Sequence, residues 1–168
     1  TLWSKKMKIA LSAESTIDLP VELLQKYNIH TTPFTILLGD EAKLDGEVPV
    51  PEIIDFVNKT GTLPKTSAVN QYQYKEHWDK LLEEYDAVIH FSLSSEISVA
   101  CHNAKTCAQD YDNVFVIDTR ALSTGIALLA IYASKLIKED LAPEEIVKKC
   151  EERIPHLQVS FILERLDY

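Results

Sequence analysis

The sequence predicts an α/β protein: a mostly parallel sheet covered by helices on both faces, in three α/β/α layers. Three observations carry this. Strand-like and helix-like runs alternate along the 168 residues. The strand-like runs are largely apolar, residues 114–117 continuously so, as strands buried on both faces are. Four times an apolar or extended run ends in small hydroxyl residues before a helical pattern. These junctions are Ser12-Ala13-Glu14-Ser15-Thr16, Lys65-Thr66-Ser67, Ser92-Leu93-Ser94-Ser95-Glu96-Ile97-Ser98 and Asp118-Thr119-Arg120-Ala121-Leu122-Ser123-Thr124.

Residues 7–12 read as a buried strand. Asp18-Leu19-Pro20 opens a short helix, with Asp18 as N-cap and Pro20 in the first turn, ending near Asn28. Residues 30–38, rich in Thr, Phe and Ile, read as one strand, followed by turns at Gly39-Asp40-Glu41 and Asp45-Gly46. Pro51 starts a helix with Ile53, Ile54, Phe56 and Val57 on its apolar face, and Gly61 ends it. Asn70 caps a long helix to Tyr85, where Tyr74, Trp78, Leu81, Leu82 and Tyr85 recur at helical spacing. A strand at 87–91, a helix at 97–109, a strand at 114–117 and an apolar helix at 123–138 follow. Pro143 starts a last helix to about Arg153, and residues 157–163 read as a closing strand.

Composition bounds the function. The net charge is −9, from 26 acidic and 17 basic residues, and no basic stripe is present for nucleic acid. Lys148-Lys149 is flanked by Glu144, Glu145, Glu151 and Glu152, a solvated helix face. No apolar run reaches the roughly 18 residues of a membrane span, so no membrane insertion is expected. Cys101, Cys107 and Cys150 lack CxxC spacing, which predicts reduced thiols in a cytoplasmic protein. The five dispersed histidines form no metal-binding motif, and no metal or cofactor is expected. Met7 is the only methionine; residues 1–6 are expected to precede the natural start.

In an open parallel sheet, ligands bind outside the carboxyl ends of the strands, where helix N-termini favour anions. The hydroxyl junctions fall there. Ser94, Ser95 and Ser98 are the sharpest candidates, since one N-cap explains one serine and not three. Thr66 and Ser67 precede Asn70, the better cap, and are expected to join the serine cluster around one anion-sized position. Ser15 and Ser123 are further candidates where caps are also expected. A serine hydrolase using Ser94 or Ser95 with His90 or His102 is a rival reading, but no GxSxG elbow is present. The chain has four glycines and neither a Walker A nor a GxGxxG motif, which argues against a nucleotide enzyme. A small phosphorylated metabolite is a third reading of the same hydroxyls.

These segments resemble the DegV family of bacterial fatty-acid-binding proteins. The resemblance rests on Ser15-Thr16-Ile17-Asp18-Leu19-Pro20, Leu44-Asp45-Gly46, Leu63-Pro64-Lys65-Thr66-Ser67, Ser94-Ser95-Glu96-Ile97-Ser98, and Asp118-Thr119-Arg120 with Ser123-Thr124-Gly125. It implies a carrier that does no chemistry itself. One long-chain fatty acid is buried, its carboxylate on Thr66, Ser67 and Ser94 or Ser95. A separate ATP-dependent fatty acid kinase then phosphorylates that carboxylate. The chain departs from the family pattern at Glu14, where Asp is usual, at Ala68, where Gln is usual, and at Val99-Ala100, where Gly-Thr is usual. The resemblance implies a first lipid-binding domain at 7–155 and the opening of a second, truncated domain at 156–168. An apolar slot lined by the 123–138 helix is expected, and its open wall is expected to favour self-association.

Overall fold

The computed structural model describes residues 6–162. Along the chain run β1 (Ile9–Glu14), a 3-10 turn (Ser15–Ile17), α1 (Val21–Tyr27), β2 (Ile29–Thr32), β3 (Thr35–Leu38), β4 (Glu41–Leu44) and α2 (Val50–Thr60). Then come β5 (Lys65–Ser67), α3 (Gln71–Leu82), β6 (Ala87–Ser92), α4 (Ala100–Ala108), β7 (Val114–Asp118), α5 (Thr124–Lys138) and α6 (Pro143–Arg153). The parallel sheet has the order β2-β1-β6-β7. Helices α3 and α4 pack together and against its strands, and α5 and α6 do the same on the other face. The expected three-layer α/β/α architecture is therefore present.

The apolar runs explain the sheet. Ile9, Leu11, Val88, Ile89, Phe91 and Ile117 are all buried, so β1, β6 and β7 need no polar face toward water. Asn70 caps α3 with a full capping box: its side chain accepts from the Gln73 N–H, and the Gln73 side chain accepts from the Asn70 N–H. Helix α5 buries Ile126, Ala127, Leu129, Ala130 and Ala133 against the sheet. Among the described residues no helix is long and apolar enough to cross a membrane.

Five expectations are corrected. The strand expected at 30–38 is two strands in two sheets, because Pro33 lacks the N–H that a ladder needs. Strand β3 leaves the parallel sheet and forms a small antiparallel one of order β4-β3-β5, which has its own core of Ile36, Leu38 and Val48 beneath Ile53 and Phe56. Thr66 and Ser67 are thus on β5 rather than at the end of a parallel strand. Asp18 does not cap α1; it closes the preceding 3-10 turn in a left-handed conformation (φ 54°), and Pro20 holds the N-cap position. Helix α4 starts at Ala100, since residues 95–97 form a turn whose Ile97 and Ser98 N–H groups bond back to the Ser94 carbonyl. The closing strand expected at 157–163 is not formed over 157–162, which has no regular structure. Residues 163–168 of the expected second-domain opening lie outside the described residues, as do residues 1–5 of the segment expected to precede the natural start.

Gly125 fixes the path of this last stretch. A Cβ there would lie 2.6 Å from Ala121 Cβ and 2.9 Å from Val159 Cγ2. Neither neighbour is the tip of a long flexible side chain. Gly125→Ala is expected to cost about 1–3 kcal/mol by overpacking and to expose residues 157–162 to protease. An unchanged urea midpoint and unchanged cleavage would contradict the packing.

Candidate functional site

Alternation places the polar residues of β1 and β6 on one face. Ser12 pairs with His90 in register, and Glu14 and Ser92 follow two residues later on the same side. All four are fully buried, and they meet Tyr74 and His77 of α3. Glu14 is the hub. Its Oε1 accepts from Tyr74 OH at 2.6 Å, Ser92 Oγ at 2.8 Å and His90 Nε2 at 2.9 Å. Its Oε2 accepts from the Leu93 N–H at 2.9 Å. Burial alone pushes this carboxyl up. Attraction to His90 and the hydrogen bonds from His90, Tyr74 and Leu93 outweigh it and hold Glu14 below the ordinary carboxylate value. The Tyr74 phenol is pushed far up by burial and by the Glu14 charge, so it stays protonated and donates.

This cluster sets the floor of the carboxyl edge. By holding Ser92 Oγ and the Leu93 N–H, Glu14 fixes the entry to the serine loop. The loops after β1, β6 and β7 are then tied to one another. The Ser94 N–H donates to the Ala121 carbonyl, the Thr119 N–H to the Ser92 carbonyl, and the Ser123 N–H to the Thr16 carbonyl. Asp118 accepts from both the N–H and the hydroxyl of Ser95. Burial raises the Asp118 carboxyl, but the Ser95 bonds, the Arg120 N–H and the Arg120 charge together hold it below its ordinary value. Arg120 also pairs with Glu96. Thr16 Oγ1 is buried among these loops with no hydrogen-bond partner among the described residues.

Each sequence-level candidate can now be located. Ser15, Ser94, Ser95, Ser98 and Ser123 all stand at the carboxyl edge of the parallel sheet. Ser94 is buried, with Oγ accepting from the Glu96 N–H. Ser98 Oγ accepts from the Ala100 N–H, and Ser15 Oγ from the Phe34 N–H. Local turn bonds therefore account for part of the serine surplus. Ser123 makes no cap bond; it sits before α5 with φ 51°. Thr66 and Ser67 are exposed on β5. Two links tie them to the edge: Ser67 pairs with Thr35, next to Phe34, and the Asn103 side chain of α4 donates to the Val69 carbonyl. Exposed Ile97 and Val99 flank Ser98. A cavity of about 180 Å³ opens beside Arg120, walled by Leu122, Ile154, Leu157, Val159 and Phe161.

Sequence reasoning missed the Glu14 hub, Ser12, Tyr74, His77 and Asp118 as parts of the site. A signal was present: two apolar strands each carry polar residues two apart, Ser12 with Glu14 and His90 with Ser92. The hydrolase arrangement is not formed. Both ring nitrogens of His90 are bonded, to Glu14 and Ser12, and His102 is exposed on α4. Neither is hydrogen-bonded to Ser94 or Ser95.

Comparison with known proteins gives one consistent answer. The family model described as "Uncharacterised protein, DegV family" matches residues 8–168. A DegV domain-containing protein of Clostridium perfringens is 31% identical over 163 residues, 95% of this chain and 58% of the relative. A protein of Thermotoga maritima named as a fatty acid-binding protein is 30% identical over 169 residues, 96% of this chain and 59% of the relative. The chain thus spans under two thirds of the length of the curated relatives it matches. Among solved structures, a fatty-acid-binding DegV family protein from Thermus thermophilus superposes with a TM-score of 0.82 at 28% identity, covering 89% of this chain and 54% of that one. DegV of Bacillus subtilis, described as a fatty acid binding protein, gives 0.81 at 29% identity, with the same coverage. With the family model matching residues 8–168 and the fold shared with these solved structures, the chain belongs to the DegV family.

Proposed function

We propose that this chain supplies the carboxylate end of a long-chain fatty-acid site. It holds the acid without chemistry of its own and presents the carboxylate to a separate fatty acid kinase. The observation that carries this reading is the cluster of hydroxyls and N–H groups where the loops after β1, β6 and β7 are tied together. Ser94 and Thr16 are the central groups. The unpartnered Thr16 hydroxyl is the type of group that a carboxylate oxygen would satisfy, at a gain of about 1–3 kcal/mol. In this reading Thr66 and Ser67 of β5 supply further donors. Exposed Ile97 and Val99 offer apolar contact to the first methylenes of a tail. The relatives named as fatty-acid-binding support the ligand class. A carrier role is favoured over hydrolysis because His90 is sealed in the core with both nitrogens bonded.

The direct test is mass spectrometry of the lipid extracted from natively purified protein, followed by oleate titration. Ser94→Ala is expected to weaken oleate binding about 10- to 100-fold, the worth of a hydrogen bond to a charged group. Thr66→Val should add a further loss. A hydrolytic turnover lost in Ser94→Ala would overturn the carrier reading. Binding of acetyl phosphate in preference to oleate would point to the phosphorylated-metabolite alternative.

A further inference from the structure

The polar cluster does not end in the core. From the serine loop it continues as one hydrogen-bonded row: the Leu93 N–H, Glu14, His90, Ser12, His77. The successive separations are 2.9, 2.9, 2.8 and 2.9 Å. Its outer end, His77, lines a surface cavity of about 300 Å³ together with His30, Lys80, Glu84 and Tyr85. The row thus connects solvent on one side of the sheet to the loop that opens the anion site.

The protons in this row can be arranged in two ways. An ionised Glu14 only accepts, so His90 Nε2 carries a hydrogen. In the first arrangement His90 is neutral, and its Nδ1 accepts from the Ser12 hydroxyl. Ser12 then accepts from His77 Nε2–H. In the second arrangement His90 carries hydrogens on both nitrogens. Nδ1–H donates to Ser12, Ser12 donates to His77 Nε2, and His77 carries its hydrogen on Nδ1. Every group is satisfied in both.

We infer that this row is a proton relay that charges His90 when an anion occupies the serine loop. The inference rests on the proposed carboxylate site and adds its regulation. One proton from water binds His77 Nδ1. The Nε2 proton of His77 moves to Ser12 Oγ, and the Ser12 hydroxyl proton moves to His90 Nδ1. One proton is taken up, none is lost, and the positive charge comes to rest beside Glu14. A bound carboxylate above Leu93 repels Glu14; a charged His90 offsets that repulsion. His77 does not retain the charge, because burial and the neighbouring His90, His30 and Lys80 press its pKa down to about 3. The other groups around His90 are Tyr74 and Trp78 of α3 and Ser92 of its own strand, with the Cys101 thiol of α4 near Tyr74 and Ser92. Cys101 is held protonated by burial and by Asp118, and Tyr74 by burial and by Glu14, so neither competes for the proton.

The test has two arms. At constant pH, imidazole nitrogen NMR should show His90 Nδ1 gaining a proton as octanoate saturates the protein, with the Leu93 amide shifting at the same octanoate concentration. His77→Gln keeps a hydrogen bond to Ser12 but cannot pass a proton. It should turn one averaged set of His90 signals into two slowly exchanging sets. A His90 that never changes protonation, or exchange equally fast in His77→Gln, would overturn the relay. In the second arm, octanoate is titrated calorimetrically at pH 7 in phosphate and in Tris. Uptake approaching one proton per octanoate is expected, falling to none in Ser12→Ala. Binding without uptake would overturn the coupling. Absence of any octanoate binding would count against the carboxylate site itself, while the His77→Gln exchange comparison in ligand-free protein still decides the relay.

Discussion

Glu14→Ala is expected to destabilise the protein by about 3–5 kcal/mol, the range for removing one partner of a buried, hydrogen-bonded charged group. Four donors lose their acceptor at once: Tyr74 OH, Ser92 Oγ, His90 Nε2 and the Leu93 N–H. All but Leu93 are on side chains that are fully buried, so water does not replace the lost bonds. Glu14→Gln keeps the volume but turns an NH₂ toward groups that themselves donate. It should cost less than Ala and more than a surface change, about 1–3 kcal/mol. Urea unfolding at pH 7 measures both. A loss under 1 kcal/mol for Ala would show that the hub is not formed.

The same cluster fixes the sign of acid lability. Glu14 has a lower pKa folded than unfolded, so the unfolded chain binds more protons in acid. Its stabilisation is complete above the ordinary carboxylate value and is lost as pH falls through the folded value. His77 acts at higher pH. It stays neutral in the fold down to about 3, whereas an unfolded histidine protonates below about 6.5. Between about pH 6.5 and 4.5 this single group should remove on the order of 2–3 kcal/mol of stability. His77→Gln should flatten that part of the stability curve, and an unchanged slope would refute the burial of the neutral ring.

Much of this architecture was legible because it rests on long apolar runs. The strands at β1, β6 and β7 and the helix α5 are buried stretches whose hydrophobic content leaves one solution. Asn70 announced the start of α3. The small antiparallel sheet was hidden for a physical reason. Strand β5 is three residues long, polar and exposed, and among the described residues it pairs with β3 alone. Pro33 was the one available sign that the run from 30 to 38 divides. The buried hub was hidden differently. Tyr74 sits at helical spacing with Trp78 and Leu81, and it is buried as the spacing requires. Nothing local shows that its hydroxyl meets a carboxylate 60 residues earlier. The serine loop was found for a reason that proved incomplete. Ser94 and Ser98 bond to nearby N–H groups and Ser95 is held by Asp118, so their abundance reflects loop construction as well as any ligand.

Oleate should bind this chain alone far more weakly than it binds the Thermotoga maritima relative. The chain aligns with 59% of that protein, so any apolar wall contributed by the remainder is missing from residues 1–168. In the proposed reading the carboxylate end falls to the loops after β1, β6 and β7, which are hydrogen-bonded to one another. The tail is a different matter. Beyond Ile97 and Val99, the exposed large apolar groups beside these loops are Val159 and Phe161, at 40% and 65%. Surfaces this open cover one side of an acyl chain at most. For about ten methylenes left half exposed, the loss is on the order of 4 kcal/mol, near a thousandfold in affinity. The same exposed residues should promote association between copies, visible as a concentration-dependent sedimentation coefficient. The measurement is oleate titration into this chain, into the full-length relative, and into that relative cut at the position aligned with Tyr168. If the hydroxyl loops hold the carboxylate and the remainder holds the tail, both short chains should be weak and the long one tight. Equal affinities in all three would mean that the tail is enclosed within the part aligned with residues 8–168, and the reading of the exposed apolar edge as half a slot would be wrong.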